Sequence, residues 1–378
     1  MPFALVGSRT TARRQAKGVG ITVFSTSYGD WRQVCQWPAD NPSFLVQGRA
    51  AGMVYAVHGD DHRLTRLSLA ASGQLRAVQE VDTTGTNPVH LALDSSGSWL
   101  LIVNHSGSVV ALPVASFGEL GSPAGRVELT GTPGPHRSDQ PGPRPHQVVP
   151  IPGSADHDSE LFLVPDKGLD VVVTLRLDVR TGALTTLGRV RLRDGSGPRH
   201  IALAADGSAA YTIDELACTI SVFTVAAAGR LTLQAVHSAL DPDDVRDFRG
   251  AEVVLSPDGR RLLVSLRSGA GDREPGGPGE DYVAEFAVAP GGSLTPCGWI
   301  RTGGIRPRFM AWHDGALYVT HERTHTVTRL RPDPATGTFA TPTQVAATGS
   351  PVCLVFATDP TTTGRGAPQP AASDPNHP

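Results

Sequence analysis

The chain has 378 residues and a formal net charge of −3, from 33 basic and 36 acidic side chains. That balance offers no electrostatic footprint for nucleic acid or an anionic membrane. No apolar run approaches the roughly 18 residues of a membrane helix. The short apolar start at residues 3–7 precedes its basic residues, Arg9, Arg13, Arg14 and Lys17, which reverses the order in a secretory signal. A soluble, cytoplasmic protein is expected. Cys35, Cys218, Cys297 and Cys353 show no paired spacing and read as apolar thiols in a reducing compartment rather than disulfides. The 42 glycines and 31 prolines, against 6 % aromatics, suit short strands joined by frequent turns.

In chain order, residues 3–7, 20–25 and 31–37 read as three strands. Seven further strand starts follow, at Pro42, Pro88, Pro145, Pro198, Ala251, Pro307 and Pro351, spaced 46, 57, 53, 53, 56 and 44 residues apart. Proline suits the first residue of a strand, where no ladder donor is lost. Most units continue through a turn such as Asp206-Gly207 or Asp258-Gly259 into a second strand, then an alternating third and a fourth. No segment carries a convincing amphipathic helical pattern.

Four short strands per repeat of about 40–50 residues is the signature of a β-propeller. An all-β, seven-bladed propeller is therefore predicted over residues 1–360 as one domain. The last unit stops after one strand, and the three N-terminal strands supply what it lacks. This closure removes two open sheet edges. Residues 361–378 are rich in Pro, Ala, Thr and Gly and read as a disordered tail.

Blade geometry sorts the chemistry. First-strand starts and second-strand ends meet at one face of the disc, so Arg199, His200 and Glu215 should cluster. The position after each start reads Ser43, Val89, His146, Arg199, Glu252, Arg308 and Val352. The second-strand ends contribute His58, Asn104-His105, Asp166, Glu215, Arg267 and Glu322. Such a ring is costly unless paired or hydrated. It fits either a structural ion-pair network or a polar pocket for an anionic ligand with a general base.

The segments Gly197 to Ser208, Asp214-Glu215-Leu216, Pro145-His146, Pro165-Asp166, Ala251-Glu252-Val253 and Ser256-Pro257-Asp258-Gly259-Arg260 resemble the seven-bladed propeller lactonase family. That family includes bacterial 6-phosphogluconolactonase and fungal carboxymuconate cyclase. The resemblance spans nearly the whole chain and implies a catalytic set of Glu215, His146 and Arg199, with Arg267 binding substrate. His200, Glu252, Arg308, Asp166 and His90 join Arg267 in the substrate-binding set. Glu215 is the expected general base, and His146 would position water or protonate the leaving alkoxide.

The chain departs from the family pattern at His58-Gly59, Asp214, Asn104-His105-Ser106-Gly107 and Pro307-Arg308-Phe309, and carries an insertion at residues 268–281 on the active face. The run His58-Gly59-Asp60-Asp61-His62 lies in a hairpin turn, where polar residues are expected; no metal and no cofactor are anticipated. No Gly-x-Ser-x-Gly elbow and no phosphate-binding Gly-Lys-Ser/Thr loop is present. The expected activity is metal-independent opening of an anionic sugar lactone, phosphorylated or not. A lactone-forming cyclase and a non-catalytic binding propeller are the alternatives.

Overall fold

A computed structural model describes residues 2–27, 31–270, 279–333 and 335–357. It is a ring of seven four-stranded antiparallel sheets. Six blades are formed by consecutive strands. In the seventh, the C-terminal strand Pro351–Ala357 pairs with Phe3–Ser8, which continues to Gly20–Ser25 and Arg32–Pro38. The predicted closure is therefore the observed one. Residues 271–278 of the insertion and the tail at 361–378 lie outside the described residues.

The strands follow from their burial. Second strands such as Trp99–Asn104 and Ala209–Asp214 are buried on both faces, and their sequences are correspondingly apolar except near their ends. Fourth strands such as Leu231–Ser238 alternate between half-buried and exposed positions. The core is divided among the blade interfaces, and each of the seven holds one apolar cluster. Tyr211, Ile213 and Ile220 of the fourth blade meet Phe248, Val264 and Tyr282 of the fifth. Phe3, Leu5 and Ile21 of the closing blade meet Leu45, Val54 and Leu67 of the first. No blade buries its faces alone, so the ring is one cooperative unit.

A defect repeated at the start of each inner strand aims side chains into the channel. In the fourth blade Pro198 pairs with Asp214 and His200 with Ile213, which leaves Arg199 unpaired. The same bulge frees Ser43, Val89, Arg308 and Val352. The third and fifth blades are likewise one residue out of step, around His146 and around Ala251-Glu252. Bulges re-aim side chains in this way without breaking a sheet. In five blades the residue before the strand-start proline has a left-handed φ: Asn41, Asn87, Gly197, Arg306 and Ser350. Gly197 also has Leu216 packed so closely that an added Cβ would lie 2.6 Å from its Cγ.

Candidate active site

The backbone builds two rings of side chains. The lower ring consists of the bulged residues, Ser43, Val89, His146, Arg199, Glu252, Arg308 and Val352, and all seven line a narrow void at the centre of the disc. The upper ring is fixed by one repeated hydrogen bond. In six blades the residue that follows the second strand donates its N–H to the carbonyl of the residue before the inner-strand start. These bonds are Arg9 to Ser350, Gly59 to Asn41, His105 to Asn87, Lys167 to Arg144, Glu215 to Gly197 and Glu322 to Arg306, at 2.7–3.1 Å. Arg267, paired with Arg249, takes this place in the fifth blade. Every member except Gly59 lines an open chamber of about 500 Å³. The two spaces share Arg9, Val89, His146 and Arg308. The lower void, about 20 Å³, has room for one water.

Among the described residues, the chamber is lined by eight arginine and lysine side chains against three carboxylates, so its field favours an anion. Glu215 lies within 3.6 Å of Lys167, 3.2 Å of Arg267 and 3.3 Å of Arg199. Burial alone would raise its pKa; Lys167, Arg267, Arg199 and Arg308 together hold it well below the usual carboxylate range. Arg308 faces Glu322 at 3.8 Å, and burial pushes this arginine well below its ordinary value. Arg199 Nη1 donates to the Ala251 carbonyl and Arg267 Nη2 to that of Gly250, anchoring both guanidiniums on the fifth blade. Arg9 Nη1, Arg199 Nε and Arg267 Nε are buried without a hydrogen-bond acceptor among the described residues. Arg199 Nε still has Glu215 within 3.3 Å and Arg9 Nη1 has Asp60 within 3.9 Å, but buried donors left without a hydrogen bond along one channel are the mark of a binding site rather than of a finished ion-pair network.

Below Glu215 the chemistry changes. His200 Nδ1 lies 2.7 Å from Glu252 Oε1, and His200 Nε2 lies 3.2 Å from His146 Nδ1. His146 faces both spaces. Burial, reinforced by Arg199, drives both histidines well below their ordinary pKa, so both are neutral at pH 7. Burial pushes Glu252 up to about 8 despite Arg199, the Val253 N–H and Arg308. The upper ring therefore holds Glu215 and Glu322 ionised, while the lower ring holds Glu252 protonated at neutral pH.

Seven of the nine expected site residues converge here: Glu215, His146, Arg199, Arg267, His200, Glu252 and Arg308. Two do not. Asp166 pairs opposite Pro145, one residue short of the upper ring, and is fully buried. Its Oδ1 accepts from the N–H groups of Arg144, Gly168 and Leu169, which pins a loop, and burial raises its pKa to about 6. Lys167, the next residue, occupies the ring. His90 lies outside both linings, packed against Phe44 at 4.0 Å between ring centroids and edge-on to His200 at 5.9 Å. Sequence reasoning placed His105 on this ring but missed Arg9 and Lys167 as chamber residues.

His58 is not a chamber residue either, because its two ring nitrogens face the Asp40 carbonyl and Thr65 Oγ1 at 2.8 Å each. The rim is built partly from the turn at Ala12–Arg14, which Arg14 ties to Asp60 through Nε at 2.8 Å.

The family model described as "Lactonase, 7-bladed beta-propeller" matches residues 3–356. The chain is 26 % identical to the 6-phosphogluconolactonase of Bacillus subtilis, over 84 % of this chain and 87 % of that protein. It is 24 % identical to a 6-phosphogluconolactonase of Formosa agariphila, over 93 % and 98 %. Its fold matches the Pseudomonas aeruginosa periplasmic gluconolactonase with a TM-score of 0.81 at 24 % identity, covering 95 % and 99 % of the two chains. The ring, the closing blade and the match across nearly the whole sequence lead to one assignment: the chain belongs to the seven-bladed β-propeller lactonase family of enzymes.

Proposed function

We propose that the protein hydrolyses an anionic sugar lactone, with a 6-phosphogluconolactone as the best fit. The observation that carries this reading is the chamber's surplus of cations over carboxylates, with donors that make no hydrogen bond on Arg9 and Arg267 in its lining and on Arg199 in the void beneath it. Named relatives acting on 6-phosphogluconolactone point the same way. A volume of about 500 Å³ suits a six-carbon lactone with a phosphoryl group.

The chemistry needs two things: charge stabilisation at the carbonyl oxygen, and a proton acceptor for water. Arg199 and Arg267, anchored on backbone carbonyls and already desolvated, supply the first without reorganising. They take the part of a metal, so activity should survive exhaustive chelation. Arg9 and Arg308, on the closing and sixth blades, receive the remote anionic group. Glu215 is a poor final base, since its cations make its conjugate acid too strong. We assign it instead to orienting those cations and accepting a hydrogen bond from the attacking water. His146, neutral and facing both spaces, takes the water's proton and returns it to the ring oxygen as the C–O bond breaks.

The test compares 6-phosphoglucono-δ-lactone with glucono-δ-lactone at matched pH, each corrected for spontaneous hydrolysis. A kcat/KM at least tenfold higher for the phosphorylated lactone is expected. Equal values for the two would remove the anion-binding role, and no turnover of either would remove the reading itself.

A further inference from the structure

The buried pair beneath the chamber is more than a support for His146. We propose that Glu252 is the proton store of a relay, Glu252–His200–His146, which switches the chamber-facing nitrogen of His146 between proton acceptor and proton donor. The proposal rests on the lactonase reading for its use, but its geometry stands apart from any substrate.

The three residues form one continuous chain, with contacts of 2.7 Å and 3.2 Å. All three are buried and come from three successive blades, so packing holds the chain in line. Among the described residues Nδ1 is the ring nitrogen of His146 that makes a hydrogen bond, and His146 lines the chamber, so Nε2 is the nitrogen available to a ligand there. The acceptors dictate the tautomers. When Glu252 is ionised, its Oε1 accepts from His200 Nδ1–H. His200 Nε2 is then bare and accepts from His146 Nδ1–H, which leaves His146 Nε2 with a lone pair. When Glu252 is protonated on Oε1, it donates to His200 Nδ1. His200 Nε2–H then donates to His146 Nδ1, and His146 Nε2 carries a proton. The two states differ by one proton, and neither places a charge on an imidazole.

That difference matches the reaction. Water attacks the carbonyl carbon, a C–O bond forms, and the water proton goes to His146 Nε2. Nδ1–H passes to His200 Nε2, and Nδ1–H of His200 passes to Glu252. The ring C–O bond then breaks with its electron pair on the ring oxygen. The chain shifts back, and His146 Nε2 hands that oxygen its proton. The hydroxy acid leaves and ionises in water, and the relay returns to its starting state. Separately charging His146 would be costly, since burial and Arg199 already disfavour the imidazolium. Storing the proton on Glu252 neutralises a buried carboxylate instead, a change that burial favours.

The charged and titratable groups facing Glu252 are Arg199 and His200 from the fourth blade, Arg308 from the sixth and the Cys353 thiol from the closing blade. Of these, His200 is in direct hydrogen-bond contact and continues to His146. In this relay Glu252 is a positioning residue, since it acts on substrate only through His146.

The experiment uses the full chain. In wild-type protein labelled with ¹⁵N-histidine, the His146 and His200 shifts should exchange tautomer together in one transition near pH 8. The kcat/KM for 6-phosphoglucono-δ-lactone should rise through the same pH. In Glu252→Gln, which keeps the shape and loses the proton site, the joint transition should vanish. Turnover should fall about 10²-fold with KM unchanged, and the pH profile should be flat between pH 7 and 9. Histidines that titrate separately in the wild type, or a Glu252→Gln enzyme with the parent pH profile, would overturn the relay while leaving the lactonase reading intact. A wild type that turns over no lactone would overturn that reading, and the ¹⁵N transition would still decide the relay. If Glu252→Gln fails to fold, the wild-type titration alone decides: a joint transition supports the relay, and separate transitions overturn it.

Discussion

Glu215 and Glu252 are the same residue type, on adjacent blades, facing one channel, yet they are driven in opposite directions. Glu215 follows a second strand and enters the upper ring among Lys167, Arg199 and Arg267. Glu252 sits in the inner-strand bulge of the next blade and meets a neutral imidazole. Both are buried, so desolvation penalises each anion. Direct ion pairs with three cations overcome that penalty for Glu215, whereas more distant arginines do not for Glu252. A step of one level in the channel converts a fixed anion into a titrating acid. The upper ring can then bind charge while the lower ring moves protons.

The division is sharpest at His146, which touches both levels. His146→Ala should remove the proton acceptor and leave the cationic chamber in place. We expect kcat to fall roughly 10²–10⁴-fold with KM within about threefold of the parent. A matched rise in KM without loss of kcat would show that His146 belongs with the binding residues, and the separation of levels would be wrong.

Glu215→Gln tests the upper level. The substitution strips the anion from three buried cations, Lys167, Arg199 and Arg267. Breaking a buried pair in this way costs about 3–5 kcal/mol, because the partner charges stay behind. Chemical denaturation at pH 7 should show this loss, partly restored by added inorganic phosphate, which binds only the folded chamber. Unchanged stability would mean that the cations are already satisfied without Glu215.

Arg9→Ala has a smaller and more selective effect. Arg9 is buried and lines both spaces, and its Nη1 makes no hydrogen bond among the described residues, with Asp60 3.9 Å away. Its loss should raise KM for a phosphorylated lactone about tenfold and leave that for the unphosphorylated lactone within about twofold. Equal effects on the two would place Arg9 in the frame of the rim instead of in substrate binding.

The lower ring is legible in the sequence because proline marks it. Each bulge falls at a fixed offset from the strand start, so Ser43, Val89, His146, Arg199, Glu252, Arg308 and Val352 line up by spacing alone. The upper ring has no such marker. Its residues come just after the strands end at His58 and Asp166, and a step of one residue puts a side chain on the opposite face. That shift separates Asp166 from Lys167, the true ring residue, and His58 from Gly59. Arg9 is hidden for another reason: its N–H is held by Ser350, from the far end of the chain, so its ring position exists only after closure. His90 and His200 occupy equivalent places in their strands, but Phe44 packs over His90 and removes it from the channel. The opposed pKa shifts of Glu215 and Glu252 are not legible at all, since they depend on side-chain distances that spacing does not encode.

The smallest expected effect concerns stability without any substrate. In the folded chain burial raises the pKa of Glu252 to about 8, whereas in the unfolded chain it takes an ordinary carboxylate value. Between these limits the folded protein holds a proton that the unfolded one has released. The contribution of this group to stability is therefore complete below the unfolded pKa and declines as pH rises, until the folded group itself ionises near pH 8. In the Glu252→Gln protein the side-chain amide is neutral in both states and carries no such dependence. The variant should gain on the parent by about 1 kcal/mol between pH 7 and pH 8, with little further gain above pH 9. Glu215→Gln should show no comparable change over that window, because the depressed pKa of Glu215 keeps it ionised in both states there. Parallel denaturation curves for the parent and Glu252→Gln at pH 7 and pH 8 would mean that Glu252 is already ionised at neutral pH, and the contrast between the two carboxylates would collapse.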